Sequence, residues 1–353
     1  MPRCDAVLKR IMETEVLNTE NNMSYTLPQH INPNLFNDNV ESAPNRNGYG
    51  DGLKEAGTLD ERIVALAADL TGSTKTNVFA DAFPNRFVQV GIAEQSMASV
   101  ASGMAAMGKI PFIASYAMFS PGRSWEQVRT TIAYNGSNVK IVGAHSGVSV
   151  GPDGATHQAI EDIAIMRVIP RMVVIAPCDA LEAKRATLAI AKYVGPVYMR
   201  LARENTPIIT TPGTPFEMGK AEVYLSRNKE HKKSVGIIAT GTILYHALVA
   251  GKVLNERGIG ASVMNMATVK PLDTKALALF AKEHDLIVTV EEHQRAGGLG
   301  SAVSDYLSEV QPKWVLRMGV DDKFGQSGTP EELLSHYNID HVAIAREVQK
   351  FFG

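Results

Sequence analysis

Short apolar runs alternate with longer amphipathic segments along most of this 353-residue chain. Five of the runs, between residues 61 and 202, have the length and continuity of strands that are buried on both faces of a parallel sheet. The segments between them have the apolar spacing of helices. The same alternation resumes at Ser234 and continues close to the end of the sequence. This repetition predicts an α/β protein with two doubly wound domains.

Composition divides the chain into further parts. Residues 1–43 are polar and rich in asparagine, which predicts a flexible N-terminal extension or a short docking arm. Residues 44–211 are expected to form the first α/β domain, and residues 234–353 the second, smaller one. The stretch between them, residues 212–233, contains several prolines and ends in a basic run, so we expect a linker that carries one strand.

The balance of charges argues against two classes of function. The chain has 35 basic and 37 acidic residues, a formal net charge of −2 and no basic stripe, so nucleic-acid binding and membrane-surface binding have little support. No apolar run approaches the roughly 18 residues that a membrane span needs. Two cysteines are too few for a disulfide framework. We therefore expect a cytoplasmic protein.

A single carboxylate stands among apolar neighbours in the segment VGIAEQSM. Glu94 follows Val90, Gly91 and Ile92 and begins a helical pattern of small and apolar residues, where its carboxylate would be desolvated. The helix dipole alone also favours a glutamate at a helix start. The pattern by itself therefore leaves a structural and a catalytic role open.

A second group of polar residues lies in the segment GPDGATHQ. Asp153 and His157 are four residues apart in a glycine-rich turn, which can present both side chains to one cavity. A carboxylate and an imidazole in such a position are suited to acid–base chemistry and to hydrogen bonding with a polar substrate.

Other candidates lie where predicted strands end, the edge at which parallel sheets bind ligands. Tyr116, Phe119 and Arg123 follow one strand, and their rings offer faces to a flat heteroaromatic group. Three further groups at strand ends could converge on an anion. These are Ser73, His145 and Arg203.

Together these motifs resemble the pyrimidine-binding part of the transketolase family, whose cofactor is thiamine diphosphate. The G-x-x-E element of that family supplies a glutamate that protonates the aminopyrimidine ring, and Glu94 matches it. The resemblance implies that Phe119 stacks on this ring with Tyr116 and Arg123 nearby. It also implies that Asp69 is a cofactor-side or interface residue.

The family's D-G-x-T-H-Q element is matched from Asp153 to Gln158. The resemblance implies that Asp153 and His157 bind the hydroxyls and the donor carbonyl of a sugar substrate, with His157 also catalytic. It further implies that a sugar phosphate is held by the three groups at strand ends, namely Ser73, His145 and Arg203.

One part of the family pattern is missing from this sequence. The diphosphate-binding domain carries a G-D-G element followed by paired asparagines, which hold the magnesium ion and the diphosphate. The only GDG here, at residues 50–52, lacks those asparagines, and we interpret it as a chance match. The chain is thus similar to the C-terminal subunit of a split transketolase. Thiamine diphosphate and Mg²⁺ would then bind between this chain and an N-terminal subunit that provides the metal ligands, in an α2β2 heterotetramer.

Three alternatives remain open at this point. The beta subunit of a 2-oxo-acid dehydrogenase has the same two-domain layout, but its later motif has clustered histidines in place of D-G-x-T-H-Q. A deoxyxylulose-phosphate synthase shares the T-H-Q and arginine elements but is normally one longer chain. A non-catalytic regulatory or scaffolding relative is the third, although Glu94 and His157 are both present.

Overall fold

Two large sheets flanked by helices organise residues 25–353, the part of the chain that the computed structural model describes. The strands, numbered in chain order, are β1 (Tyr25–Thr26), β2 (Ser42–Pro44), β3 (Ile63–Ala67), β4 (Phe87–Gln89), β5 (Ile110–Tyr116), β6 (Lys140–Ala144), β7 (Val173–Ile175), β8 (Val197–Arg200), β9 (Asn205–Pro207), β10 (Glu222–Arg227), β11 (Ser234–Ala239), β12 (Gly260–Asn265), β13 (Thr268–Lys270), β14 (Leu286–Gln294) and β15 (Val315–Val320).

Most of the connections between these strands are helical. The helices are α1 (Asn45–Leu59), α2 (Asn77–Ala82), α3 (Glu94–Ala106), α4 (Trp125–Gln127, continued by the π-helical turn Val128–Ala133), α5 (Asp162–Arg167), α6 (Ala180–Lys192), α7 (Leu244–Glu256), α8 (Thr274–Lys282), α9 (Leu299–Val310), α10 (Pro330–His336) and α11 (His341–Phe352). Within residues 25–353, none of the helices has both the length and the apolar character needed to cross a bilayer.

The first sheet has seven strands in the order β13-β7-β8-β6-β5-β3-β4, and all its neighbours are parallel except the pair β13–β7. Helices α1 and α6 cover one face through Tyr49 and Ile190, while α3 covers the other through Met97. The chain passes from β3 to β4 on one side and then to β5 on the other, so the strand order reverses around β3. Open α/β sheets bind ligands at such a reversal, outside the carboxyl ends of the strands.

The second sheet has six strands in the order β1-β10-β12-β11-β14-β15. Its neighbours β12, β11, β14 and β15 are parallel, and β10 and β1 add antiparallel pairs at one edge. The prediction of two parallel-sheet α/β units is confirmed. Strand β10 lies within the expected linker, residues 212–233. One strand crosses between the units, because β13 follows β12 in the chain but joins the first sheet.

The segment before α1 is packed onto the second sheet. Tyr25 pairs with Arg227 across β1 and β10, and Ile31 and Leu35 are buried in the core of that unit. Of the two alternatives, residues 25–43 form a docked segment and not a flexible extension, and two apolar side chains help to anchor this otherwise polar stretch. The remaining part of the extension, residues 1–24, lies outside the described residues.

Candidate active site

The carboxylate of Glu94 is buried where α3 begins. Glu94 is 2% exposed and is the first residue of the helix, immediately after the loop that follows β4. Gly91 in this loop has a φ of 71°, a left-handed conformation that glycine adopts without strain. The Arg123 guanidinium donates from Nη1 to Glu94 Oε2 over 2.9 Å. The Arg123 side chain itself is half exposed, so this ion pair has one buried and one solvated partner.

Four rings gather beside this ion pair. Tyr116 ends β5 and stacks on His145, with ring centroids 3.7 Å apart and an interplanar angle of 20°. Phe119 lies nearly parallel to Tyr116 at 5.8 Å. His157 meets Phe119 edge-on at 5.5 Å and Tyr116 edge-on at 6.2 Å. The end of β5, the residue after β6 and the turn at residues 151–158 thus build one aromatic cluster. It consists of Tyr116, Phe119, His145 and His157.

His145 follows β6 with a φ of 55° and is held as a neutral ring. Burial, together with the positive charges of Arg46 and Arg203, lowers the pKa of His145 to about 3. Arg46 Nη1 lies 3.0 Å from His145 Nε2. Because a guanidinium only donates, Nε2 accepts and the imidazole proton is on Nδ1. Among the described residues, this buried Nδ1 has no hydrogen-bond partner.

Arg46 is the residue at this site that the sequence analysis missed. It lies in the first turn of α1, and the same Nη1 also donates to the backbone carbonyl of Ser73 over 3.1 Å. Burial lowers the pKa of Arg46, as is usual for a partly desolvated cation. Asn45 fixes the start of α1, because its side chain accepts from the N–H of Ala202. Arg46 therefore joins two of the three groups predicted to bind an anion.

Arg203 approaches the same place from the end of β8. Its Nη1 donates to the carbonyl of Val150 over 2.8 Å, and its guanidinium also pairs with Glu204 at 3.0 Å. Its positive charge also contributes to the lowered pKa of His145. Arg46, Ser73, His145 and Arg203 thus form a cluster, here called the anion cluster, with two cations and a neutral imidazole.

The turn that carries Asp153 and His157, residues 151–158, is held by Gln158, which is 1% exposed. The Gln158 Nε2 lies within 3.2 Å of the carbonyls of Val148, Gly151 and Gln326. Gln326 belongs to the second unit, so that unit supports this turn directly. His157 is half-buried, and its Nδ1 lies 2.9 Å from Thr156 Oγ1.

The predicted site residues do not all meet. Glu94, Tyr116, Phe119, Arg123, His145 and His157 form one continuous group through the contacts above. Asp153 is exposed at the end of the 3-10 turn Val148–Asp153. Asp69 is exposed after β3, with a φ of 59°, and its N–H donates to the Gln89 side chain. No three His, Cys, Asp or Glu side chains between residues 25 and 353 are placed to hold a metal ion.

Family models match both units of the chain. The model for the transketolase pyrimidine binding domain matches residues 41–208. The model for the transketolase C-terminal domain matches residues 224–344. These ranges contain every residue of the site described above.

Individual relatives agree with the family models. The chain is 38% identical to one subunit of the apulose-4-phosphate transketolase of Phocaeicola vulgatus, over 87% of this chain and 96% of the relative. It is 35% identical to human transketolase over 86% of this chain, but that match spans only 48% of the human protein. A solved split-gene transketolase, an inactive β4 tetramer, superposes with a TM-score of 0.80 and 43% identity over 87% of this chain and 97% of the solved one. The chain belongs to the transketolase family and corresponds to the pyrimidine-binding and C-terminal domains of its members.

Proposed function

We propose that this chain is one subunit of a thiamine-diphosphate-dependent transketolase, which transfers a two-carbon ketol unit from a ketose phosphate to an aldose phosphate. One observation carries the proposal, namely that a buried carboxylate and the anion cluster are linked by contacts through the same aromatic cluster. Glu94 reaches the rings through Arg123, and Arg46 reaches them through His145. A cofactor ring and an anionic sugar could therefore bind next to each other.

The residues around Glu94 suit the aminopyrimidine of thiamine diphosphate. A buried carboxylate can hold a proton at a ring nitrogen, and Phe119 and Tyr116 offer flat faces beside it. Arg123 supports this fit, because its planar guanidinium already contacts Glu94 and lies 5.0 Å from the centre of the Phe119 ring. When bound, the cofactor would supply the carbon that carries the two-carbon unit. Glu94 would hold the proton at the ring nitrogen, and Asp69 would lie on the cofactor side or at an interface.

The remaining residues are proposed to bind the sugar. Asp153 and His157 would hydrogen-bond the hydroxyls and the carbonyl near the reacting carbons. The sugar phosphate would interact with the cations of the anion cluster, Arg46 and Arg203, and with Ser73. Because His145 is neutral with its proton on Nδ1, it would act as a hydrogen-bond donor and not as a third charge.

We further propose that a separate N-terminal subunit completes the site in an α2β2 assembly. The ligands of the diphosphate and of Mg²⁺ would come from that subunit. Support comes from the Phocaeicola vulgatus relative, which is itself a subunit of a transketolase, and from the half-length match to human transketolase.

Reconstitution tests this function. The purified chain and a partner of the kind expected, an α/β protein with the G-D-G and paired-asparagine elements, would be assayed separately and together with thiamine diphosphate and Mg²⁺. Xylulose 5-phosphate and pyruvate would be compared as donors. We expect turnover only with both subunits, and only with the ketose phosphate.

Each other result excludes a part of the proposal. Turnover by this chain alone would exclude a split active site. Use of pyruvate in place of the ketose phosphate would identify a 2-oxo-acid dehydrogenase subunit. Formation of a stable two-subunit complex that binds the cofactor but turns over neither these donors nor other ketose substrates would identify a non-catalytic relative.

A further inference from the structure

Arg123 contacts the same two groups that the proposed function gives to the aminopyrimidine ring. Its Nη1 donates to Glu94 Oε2 over 2.9 Å, and its Cζ lies 5.0 Å from the centre of the Phe119 ring. We propose that Arg123 is an internal competitor of the cofactor, so that its guanidinium must leave this position before the ring of thiamine diphosphate can bind. This inference rests on the proposed function, because it concerns the same pocket.

The chemistry of the two groups explains why one can replace the other. A guanidinium is planar and delocalised, presents N–H donors along one edge and stacks on aromatic rings. An aminopyrimidine protonated at the ring nitrogen also combines a flat face with N–H donors along one edge. A carboxylate accepts from either edge, and an aromatic face stacks on either plane. Glu94 is only 2% exposed while Arg123 contacts it, so a second planar donor cannot reach the carboxylate along the same path.

The loop between β5 and α4 allows the exchange. The N–H of Arg123 donates to the carbonyl of Phe119 over 3.1 Å, which fixes the backbone of the turn. A Cβ on Gly122 would overlap the carbonyl oxygen of Met118, so the turn is also closely packed. The Arg123 side chain, however, is half exposed and can rotate into solvent without opening the core. Displacement therefore needs only a change of side-chain rotamer.

The strength of the competition follows from this exposure. An ion pair with one solvated partner contributes little, so removing it should change cofactor affinity by roughly two- to tenfold. A larger change in cofactor affinity would be expected only if the arginine were buried as well. Arg123 would thus lower the affinity of the pocket for the pyrimidine ring. This effect would be smaller at high salt, which weakens the ion pair with Glu94.

Binding of the ring alone provides the test, with a readout that does not depend on turnover. Calorimetric titration of the full chain with 4-amino-5-hydroxymethyl-2-methylpyrimidine would be compared for wild type, Arg123→Met, Glu94→Gln and the double variant that carries both substitutions. Thiamine diphosphate would be titrated into the reconstituted two-subunit complex in parallel. Arg123→Met keeps the apolar stem but removes the N–H donors. Arg129→Met is the matched control, because Arg129 is an exposed arginine on the π-helical turn that continues α4.

We expect Arg123→Met to bind the ring and the cofactor about two- to tenfold more tightly, and Arg129→Met to match wild type. Added salt should tighten binding of the pyrimidine without a diphosphate to wild type but not to Arg123→Met. In a Glu94→Gln background, the gain from Arg123→Met should shrink, because the competing pair is already lost.

The contrary results separate the two proposals. Weaker binding by Arg123→Met would show that the arginine is a ligand of the cofactor, and unchanged binding would show that it does not compete. Either result overturns this inference but leaves the proposed function intact. If Glu94→Gln bound the ring as wild type does, the assignment of this pocket to the aminopyrimidine would itself be wrong.

Discussion

Arg46 determines the tautomer of His145. Its guanidinium donates to His145 Nε2 over 3.0 Å, which leaves the imidazole proton on Nδ1. Burial, together with the charges of Arg46 and Arg203, lowers the pKa of His145 to about 3. The positive charge of the anion cluster therefore comes from its two arginines at any physiological pH. The neutral His145 contributes a directional hydrogen-bond donor, its Nδ1–H.

Replacing Arg46 by methionine should weaken binding of phosphorylated sugars. A charge-assisted contact to a phosphate that does not react contributes mainly uniform binding, so we expect KM for a phosphorylated acceptor to rise roughly 10- to 100-fold with little change in kcat. Steady-state kinetics of the reconstituted enzyme measure both constants. Lys54→Met on the exposed side of the same helix is the control. An equal loss with unphosphorylated acceptors would show that Arg46 has a structural role.

Glu94→Gln should remove most of the activity and leave the fold and assembly intact. The amide occupies the same volume but cannot hold or release the ring proton, and general acid–base groups typically contribute about 10²–10⁴-fold. Turnover of the reconstituted complex, with circular dichroism and sedimentation as controls, checks this. Activity within threefold of wild type would contradict the assigned role.

Substitutions of Arg203 and His157 should change different kinetic constants. Arg203→Ala should raise KM for phosphorylated acceptors, since its contact is remote from the reacting carbons. His157→Ala should also lower kcat, because its contacts would change during the reaction. Phosphorylated and unphosphorylated acceptors would be compared for both variants. If Arg203→Ala impaired the two acceptors equally, its contacts with Val150 and Glu204 would be its main purpose.

Gly325→Ala, a substitution in the second unit, should disturb the turn that carries Asp153 and His157. The Cβ of Gly325→Ala would overlap Gln158 Oε1, so the Gln158 side chain must shift, and its hydrogen bonds to Val148 and Gly151 would transmit the shift to the turn that carries His157. A displacement of about 1 Å can cost on the order of 100-fold in rate, and we expect kcat to fall by roughly 10- to 100-fold. Gly213→Ala is the control, because its Cβ would meet no atom closer than 3.8 Å. An unchanged kcat would show that the turn is positioned independently of the second unit.

His246 should make the chain less stable in acid. Burial and the neighbouring His341 lower the pKa of His246 to about 4, and its Nδ1 accepts from the N–H of His341 at the start of α11. Between about pH 4 and the ordinary value of 6.5, the unfolded chain binds a proton that the folded chain does not. Stability therefore falls as pH decreases through this window, by at most about 1.4 kcal/mol per pH unit for this group.

His246→Asn tests that origin, because it keeps an acceptor at the helix start but does not titrate. Urea unfolding at several pH values between about 4 and 7 should show a shallower decline for the variant than for wild type. His231→Asn, a substitution in the loop before β11, should leave the slope unchanged. Parallel slopes for wild type and His246→Asn would assign the acid sensitivity to other groups.

The sequence allowed the proximity of several candidate residues to be predicted, because parallel sheets collect the carboxyl ends of their strands at one edge. Tyr116, His145 and Arg203 each lie at or just after the end of a strand, so their proximity could be expected. Arg46 could not be predicted, since its place depends on the packing of α1 against the distant Ala202. The contact between Arg123 and Glu94 could not be predicted from the sequence either, because it depends on a side-chain rotamer.

The segment before α1 illustrates a different limit. Asparagine-rich composition predicts a chain without stable structure, yet composition averages over residues and conceals single anchors. Ile31 and Leu35 are 2% and 0% exposed, and together with the pairing of β1 with β10 they hold this polar segment against the second unit.

Strand β13 has a consequence for how the family could recombine its parts. The strand comes from the second half of the sequence but pairs with β7 at the edge of the first sheet. A fragment cut between the two family domains would expose the unpaired backbone of β7, which is a site for aggregation. Exchange of one domain between relatives would likewise have to replace an edge strand of the other. The chain thus matches two family domains, but its first sheet is complete only when both are present.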